Sequence, residues 1–410
     1  MYSRVFFGDK VVTIWDGTYL YIHKSQNYEK SRKTFCMAKH RHLMKVMSIC
    51  FADGYVLDSI GLYFSDGHNN DASMMIDILG DEEIPTLKEL EKNGLESILE
   101  WFKKKEHCAV VDRGFRNALD KLTSLSNMTI KMPSMFPKGA KQHTIEEANA
   151  SRLVTKVRFV VECHHGRFKK WNFFTNVQPT ANIKRMQKSL RILCAALNAF
   201  RPPIYNTEDT REMHERIAER MLERSAMIKN PLFERVEQGP LSSRGRLFTA
   251  IRPDEYPLTS HQAYAIVQGF PKLSLSVIKD HITCGTYQVE QARHYCNEHM
   301  ASNDSAFVFY IHKAANDLIR ARVQSRHKSA TKYFVWVQFT STEVKGHYCQ
   351  CKAGMRTVGC CAHVATIIWY LGYARHNNYT PPSGIHRYWK KVTDCNGEPD
   401  SDEEKDPEPE

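Results

Sequence analysis

Nowhere does the chain hold an apolar run approaching the roughly eighteen residues of a membrane-spanning helix, and no charged stretch leading into an apolar one opens it. Those absences leave a transmembrane span and a secretory signal unsupported. Equally missing are a long internal repeat, which sets aside solenoid and propeller architectures, and a compact basic import cluster. With no signal, the twelve cysteines are expected in a reducing compartment, as metal ligands or core residues more often than as disulfides. What remains is 410 residues, 42% hydrophobic and 11% aromatic, a globular composition with room for two or three domains.

Charge is unevenly spread. The formal net charge is +11, yet residues 398–410 (EPDSDEEKDPEPE) carry eight acids against one Lys, so the rest of the chain stands at +18. That excess suits a polyanionic partner, while the Pro- and acid-rich tail is expected to be disordered.

Four candidate metal ligands lie within fifteen residues: Cys349 and Cys351, then Cys361 and His363. A C-x-C pair on an extended segment turns both thiols to one side, and C-x-H at a helix start can complete the tetrahedral N/S set of structural zinc. The alternative is a group of ordinary buried thiols. Cys360 adjoins Cys361, and the C-x-H spacing favours Cys361 as the ligand. The pattern resembles the SWIM-type zinc finger, a resemblance that implies DNA or protein binding. Four protein ligands leave no open position for water, so the expected role of Zn2+ is structural.

The first 165 residues alternate in a distinctive order. Strands are expected at 10–22, 45–52 and 55–64, the last two joined as an antiparallel hairpin through Asp53-Gly54. A helix of about nine residues should begin at Asp71 and another span 86–105. A strand at 107–111, a short helix, and a strand near 127–132 follow, then helices from 145 to about 170, over 183–200 and over 208–228. Farther on, a helix around 288–300 and strands near 306–311 and 333–340 lead into the cysteine pairs. This order is that of an α/β, ribonuclease-H-like mixed sheet with flanking helices, followed by a small α+β zinc-binding module.

Three acids fall where such a fold would gather them: Asp16 inside the first strand, Asp112 after the fourth, and Glu162 in the long helix. Converging carboxylates repel one another unless a divalent cation joins them. The ordinary reading of Glu162 is an i,i+4 pair with Arg158, and 46 acids offer many other triples.

The blocks WDGTYLYIHKS, GYVLDSIGLYFSDGHNNDAS, VVDRGF and EEANASRLVTKVRFVVECHHGRFKKW resemble, in order, the DDE superfamily endonuclease domain of Harbinger-type transposases. The resemblance runs from about residue 10 to 203. It implies a DNA-cutting and rejoining core using Mg2+ or Mn2+, with Asp16, Asp112 and Glu162 as catalytic metal ligands. Asp71 competes for the second position, against a role as helix N-cap. Arg113, Arg167, Lys169 and Lys170 would steer the DNA backbone. Only fifteen residues precede Asp16, so recognition of DNA ends is expected from another chain, from the finger, or from sequence beyond this start.

The expected organisation is therefore an endonuclease domain at 8–205, a helical connector and linker at 206–260, a region at 261–390 with the finger at about 333–375, and an acidic tail at 391–410. DNA is the expected partner, the finger offers a second site for protein partners, self-association is open, no membrane partner is expected, and a DNA substrate implies the nucleus. A catalytically silent, domesticated binding factor acting through the finger is the alternative.

Overall fold

The computed structural model describes residues 2–80, 106–204, 208–238, 248–251, 267, 269–300, 308–312, 315–325, 328, 330–377 and 379. The chain divides into two units. One comprises Met1–Gly239, Asp280–Cys284 and Gln350–Cys360, the other Pro240–Lys279, Gly285–Cys349 and Cys361–Glu410. The helix expected at 86–105 and the acidic tail lie outside the described residues.

The first unit is built on a central strand, β1 (Val11–Tyr21), rich in β-branched and aromatic side chains and buried on both faces. On one side it pairs antiparallel with β3 (Arg41–Phe51), on the other parallel with β5 (His107–Val110). The sheet continues to β6 (Met128–Lys131) beyond β5, and β3 also pairs with β2 (Phe35–Cys36) and β4 (Val56–Phe64). The β3–β4 hairpin turns at Asp53-Gly54, where Gly54 takes φ +94° and Asp53 Oδ1 accepts the Tyr55 N–H at 2.9 Å.

Side chains alternate across β1. Val12, Ile14 and Leu20 share a core with Val154, Val157 and Val161 of the helix Ile145–Phe168 (α2) and with Met186 and Leu190 of Ile183–Phe200 (α3). Trp15 points the other way, into a second core with Met74, Met75 and Ile78 of Asp71–Gly80 (α1) and with Phe115 and Leu122. Helices therefore cover both faces. α2 starts with a capping box, Thr144 and Glu147 satisfying each other's backbone amides, and stops at Phe168, two residues short of the sequence expectation.

The second unit has a five-stranded antiparallel sheet in the order β11-β10-β9-β8-β7: Val344–Cys349, Lys332–Phe339, Ala315–Gln324, Val308–His312 and Phe248–Ile251. Its longer helices among the described residues are Tyr287–Met300 and Ala362–Gly372. The sequence pattern marks neither β7, β9 nor β11. In β9 (ANDLIRARVQ) one face carries arginines, so no apolar run betrays the strand. None of the helices among the described residues is long and apolar enough to cross a membrane.

Asn149, buried on α2, anchors the segment Gln350–Cys360: its Oδ1 accepts the N–H groups of Thr357 and Val358 at 2.9 and 3.1 Å, and its Nδ2 donates to Thr357 Oγ1 at 2.9 Å. Asn149→Ala would orphan the buried Val358 N–H and the half-buried Thr357 N–H, at a cost of about 1–3 kcal/mol each at most. The expected outcome is a lower midpoint in urea unfolding followed by circular dichroism, with Asn149→Asp losing less than Asn149→Ala.

Candidate functional site

Register brings the first two acids together. Val11 to Ile14 of β1 lie opposite His107 to Val110 of β5, and extending that pairing by two residues sets Asp112 beside Asp16. Both acids thus stand at the carboxyl end of the parallel pair, where open α/β sheets expose their binding crevices. Asp112 is fixed further by its Oδ1, which accepts the Gly114 N–H at 2.8 Å and caps the turn Arg113–Ala118.

Asp71 is the third member. Ligand oxygens of Asp16, Asp71 and Asp112 all lie within 4.8 Å of one another. Two local features permit this. Asn70, rather than Asp71, caps the helix, its Oδ1 accepting from Ser73 N at 2.9 Å and Ser73 Oγ at 3.2 Å. Gly17 then leaves the space the carboxylate occupies, since a Cβ there would stand 2.3 Å from Asp71 Oδ1. What the missing side chain admits is a carboxylate.

Glu162 is outside that trio. Its carboxylate pairs with Arg158 at 2.8 Å, and Arg158 also reaches Asp16 at 3.4 Å. One guanidinium therefore bridges the expected first and third acids, an ion pair along the helix that the sequence also allows. Lys45 lies 3.6 Å from Asp71. His165 Nδ1 is 3.8 Å from Asp16, and burial, with His164 next to it, holds that imidazole well below its ordinary pKa, hence neutral. Lys45 and His165 are not marked by the sequence pattern, because nothing along the chain links a β3 lysine to the start of α1.

Burial pushes the Asp16 carboxyl well above its usual range; Arg158 opposes this, and Asp71, Asp112 and Glu162 add to it. Burial likewise raises Asp71, with Lys45 opposing and Asp112 adding. The neighbouring cations fail to offset burial and mutual repulsion in either case. Crowded, desolvated oxygens of this kind suit a hard divalent ion, which takes oxygen ligands. Of the expected DNA-contacting residues, Arg113 is half-buried beside Asp112, Arg167 donates to the Pro202 carbonyl at 3.0 Å, Lys169 is half-buried, and Lys170 is exposed.

The second cluster is Cys349, Cys351, Cys361 and His363, all buried, with ligand atoms within 4.8 Å of one another. Cys349 ends β11, and His363 begins the helix Ala362–Gly372, for which Cys361 stands at the N-cap. Cys349 Sγ and His363 Nδ1 are 3.8 Å apart. Zinc bonds of about 2.0–2.3 Å in a tetrahedron set ligand atoms about 3.5–3.8 Å apart, so the donor set fits zinc. His363 Nε2 lies 3.4 Å from Tyr295 Oη, a contact that selects Nδ1 as the metal-binding atom. Cys360 is buried outside the group.

Because the Asp16 pKa is raised on folding, the folded protein keeps a proton there that the unfolded chain releases, and stability falls as pH rises from about 4 through the raised value. Metal-free Asp16→Asn should therefore melt above wild type at pH 7.5, by about 2–4 °C for each kcal/mol relieved, with the gap closing toward pH 4. Mg2+ should raise the wild-type melting temperature and leave that of Asp16→Asn unmoved. Elemental analysis should find about one zinc per chain, falling sharply in Cys351→Ser and His363→Ala; zinc content indifferent to both changes would rule out this ligand set.

No curated protein and no solved structure matches the chain. Residues 15–198, which contain Asp16, Asp71, Asp112 and Glu162, match the family described as DDE superfamily endonuclease.

Proposed function

We propose that the segment around residues 8–205 is a transposase-derived, divalent-metal-dependent DNA endonuclease of ribonuclease-H-like architecture. The carrying observation is the convergence of three carboxylates, Asp16 and Asp112 buried and Asp71 half-buried, at the end of a parallel strand pair, inside the segment that matches an endonuclease family. The strand order β3-β1-β5-β6, with helices on both faces, supports the architecture. The Harbinger type is the finer reading that the four sequence blocks support.

Asp16 and Asp112 are the fixed pair for Mg2+ or Mn2+, and Asp71 stands ready as a third oxygen donor. Glu162, paired with Arg158 here, would be the further carboxylate ligand. Bound ions there supply Lewis-acid polarisation of the phosphodiester and neutralise charge on its attacking and leaving oxygens. The remaining work belongs to side chains. Asp112 is held in place by its turn, Gly17 keeps the space clear for Asp71, and Arg158 shields Asp16 and Glu162 from each other. Lys170 and Arg167, at the end of α2, bear the positive charge that steers the DNA backbone, with Arg113 next to Asp112 and Lys169 one turn after His165.

The four-ligand cluster is read as a SWIM-type finger whose zinc is structural and whose module contacts DNA or protein. A DNA substrate carries nuclear residence with it. The second reading, a catalytically silent binding factor, draws on Arg158, whose guanidinium pairs with two of the acids at once.

Nicking of supercoiled plasmid separates the two. Wild type should nick with Mg2+ and stop with chelator, and Asp16→Ala, Asp112→Ala and Glu162→Ala should each lose about 1,000-fold, the several kcal/mol that ion-based charge stabilisation provides, while duplex binding by gel shift is retained. A loss in Asp71→Ala as deep as in Asp112→Ala assigns Asp71 as a ligand. Absence of metal-dependent nicking by wild type, with binding intact in all variants, leaves only the binding factor.

A further inference from the structure

The five-stranded sheet of the second unit has two unlike faces. One is apolar and buried: Phe309 and Ile311, Ile319, Ala321 and Val323, Val335 and Val337. On the other, pairing sets Tyr310 opposite Arg320 and Arg320 opposite Trp336, with Arg322 opposite Phe334 and Lys332 opposite Gln324. Opposed residues of an antiparallel pair share a face, so aromatic rings and cations alternate across three strands.

The Arg320 guanidinium stacks within 3.8 Å of the Phe248 ring centroid and 4.6 Å of those of Tyr310 and Phe334. Phe334 and Tyr310 meet edge to face at 6.0 Å and are half-exposed; Arg322 is exposed, and Lys332 half-exposed. Trp336 and Tyr348 continue the band, stacked at 5.3 Å, but are buried at that end. Among the described residues, no carboxylate pairs with Arg320, Arg322 or Lys332, and the buried Arg320 Nε has no hydrogen-bond acceptor. Three such cations set among rings form a surface for a ligand having both negative charge and flat π faces.

We propose that this aromatic and basic sheet face, Tyr310, Arg320, Arg322, Lys332 and Phe334, binds single-stranded DNA, with bases stacked on the rings and phosphates on the cations. Stacking on sheet aromatics beside cations is how sequence-tolerant single-strand binding works. An acidic peptide would use the cations and leave the rings idle. An apolar partner would desolvate three charges without pairing them, and a duplex keeps its base faces inside its own stack. Only the choice of DNA over RNA rests on the nuclease reading.

The test uses the full-length, zinc-loaded chain without added Mg2+, reading fluorescence anisotropy of labelled oligo-dT. The exposed-charge double variant Arg322→Glu/Lys332→Glu should weaken binding at least about tenfold and flatten the salt dependence by about 0.7 in log–log slope for each phosphate no longer neutralised. Phe334→Leu, which keeps apolar bulk, should cost about fivefold or more. Melting temperatures close to wild type establish that each variant folds. Affinity for oligo-dT unchanged in both folded variants overturns the proposal, as does tighter binding of wild type to duplex DNA or to a peptide of residues 398–410. Tighter binding of oligo-U overturns the choice of DNA. Plasmid nicking by the same variants, whose changes lie outside residues 15–198, keeps a failure here distinct from a failure of the nuclease reading.

Discussion

Mutual repulsion among buried carboxylates is the constraint around which the first unit is arranged. A carboxylate on a central strand must be paired or neutralised, and Asp16 meets two further acids and one guanidinium instead of a single partner. Everything close to it follows from that crowding. The parallel pairing of β1 with β5 delivers Asp112, a missing side chain at Gly17 admits Asp71, and α2 supplies Arg158 as an internal countercharge. A sheet needing stability alone would carry an apolar residue at position 16, as it does at Ile14. Retaining the acids is costly to the fold, which is the physical reason to read them as a site.

The same helix that supplies Arg158 also builds the core. Val154, Val157 and Val161 face the sheet while Arg158, Glu162 and His165 face the acids. The 3.6-residue period sorts these two sets onto neighbouring stripes of one surface. Sheet packing thereby fixes the height at which the charged side chains meet β1.

Most of the framework was legible because its signals are local. β1, the β3–β4 hairpin, the helix from Asp71 and α2 each carry their own periodicity, turn residues or cap, and the Cys/His spacing of 349 to 363 brought its four ligand atoms together. What stayed hidden depends on tertiary partners. Asp71 stands out as a competitor, but its place beside Asp16 rests on Asn70 taking the cap and on empty space at Gly17, neither of which a linear reading ranks. The bridging of Glu162 to Asp16 through Arg158 looks along the chain like any i,i+4 pair. In the second unit β9 escapes notice because arginines on its outer face break the apolar pattern, and those same arginines make that face chemically distinctive.

α2 is held at its start by a capping box, near its first third by Asn149, and at its end by Phe168 in the core. Arg158 and Glu162 stand between these fixed points, so fraying of the helix ends does not reach them. Any exchange of partners among the acids must then proceed by rotation about side-chain bonds, on picosecond-to-nanosecond scales for accessible groups, while the peptide backbone beneath stays still. The acid site is a fixed frame with one movable charge.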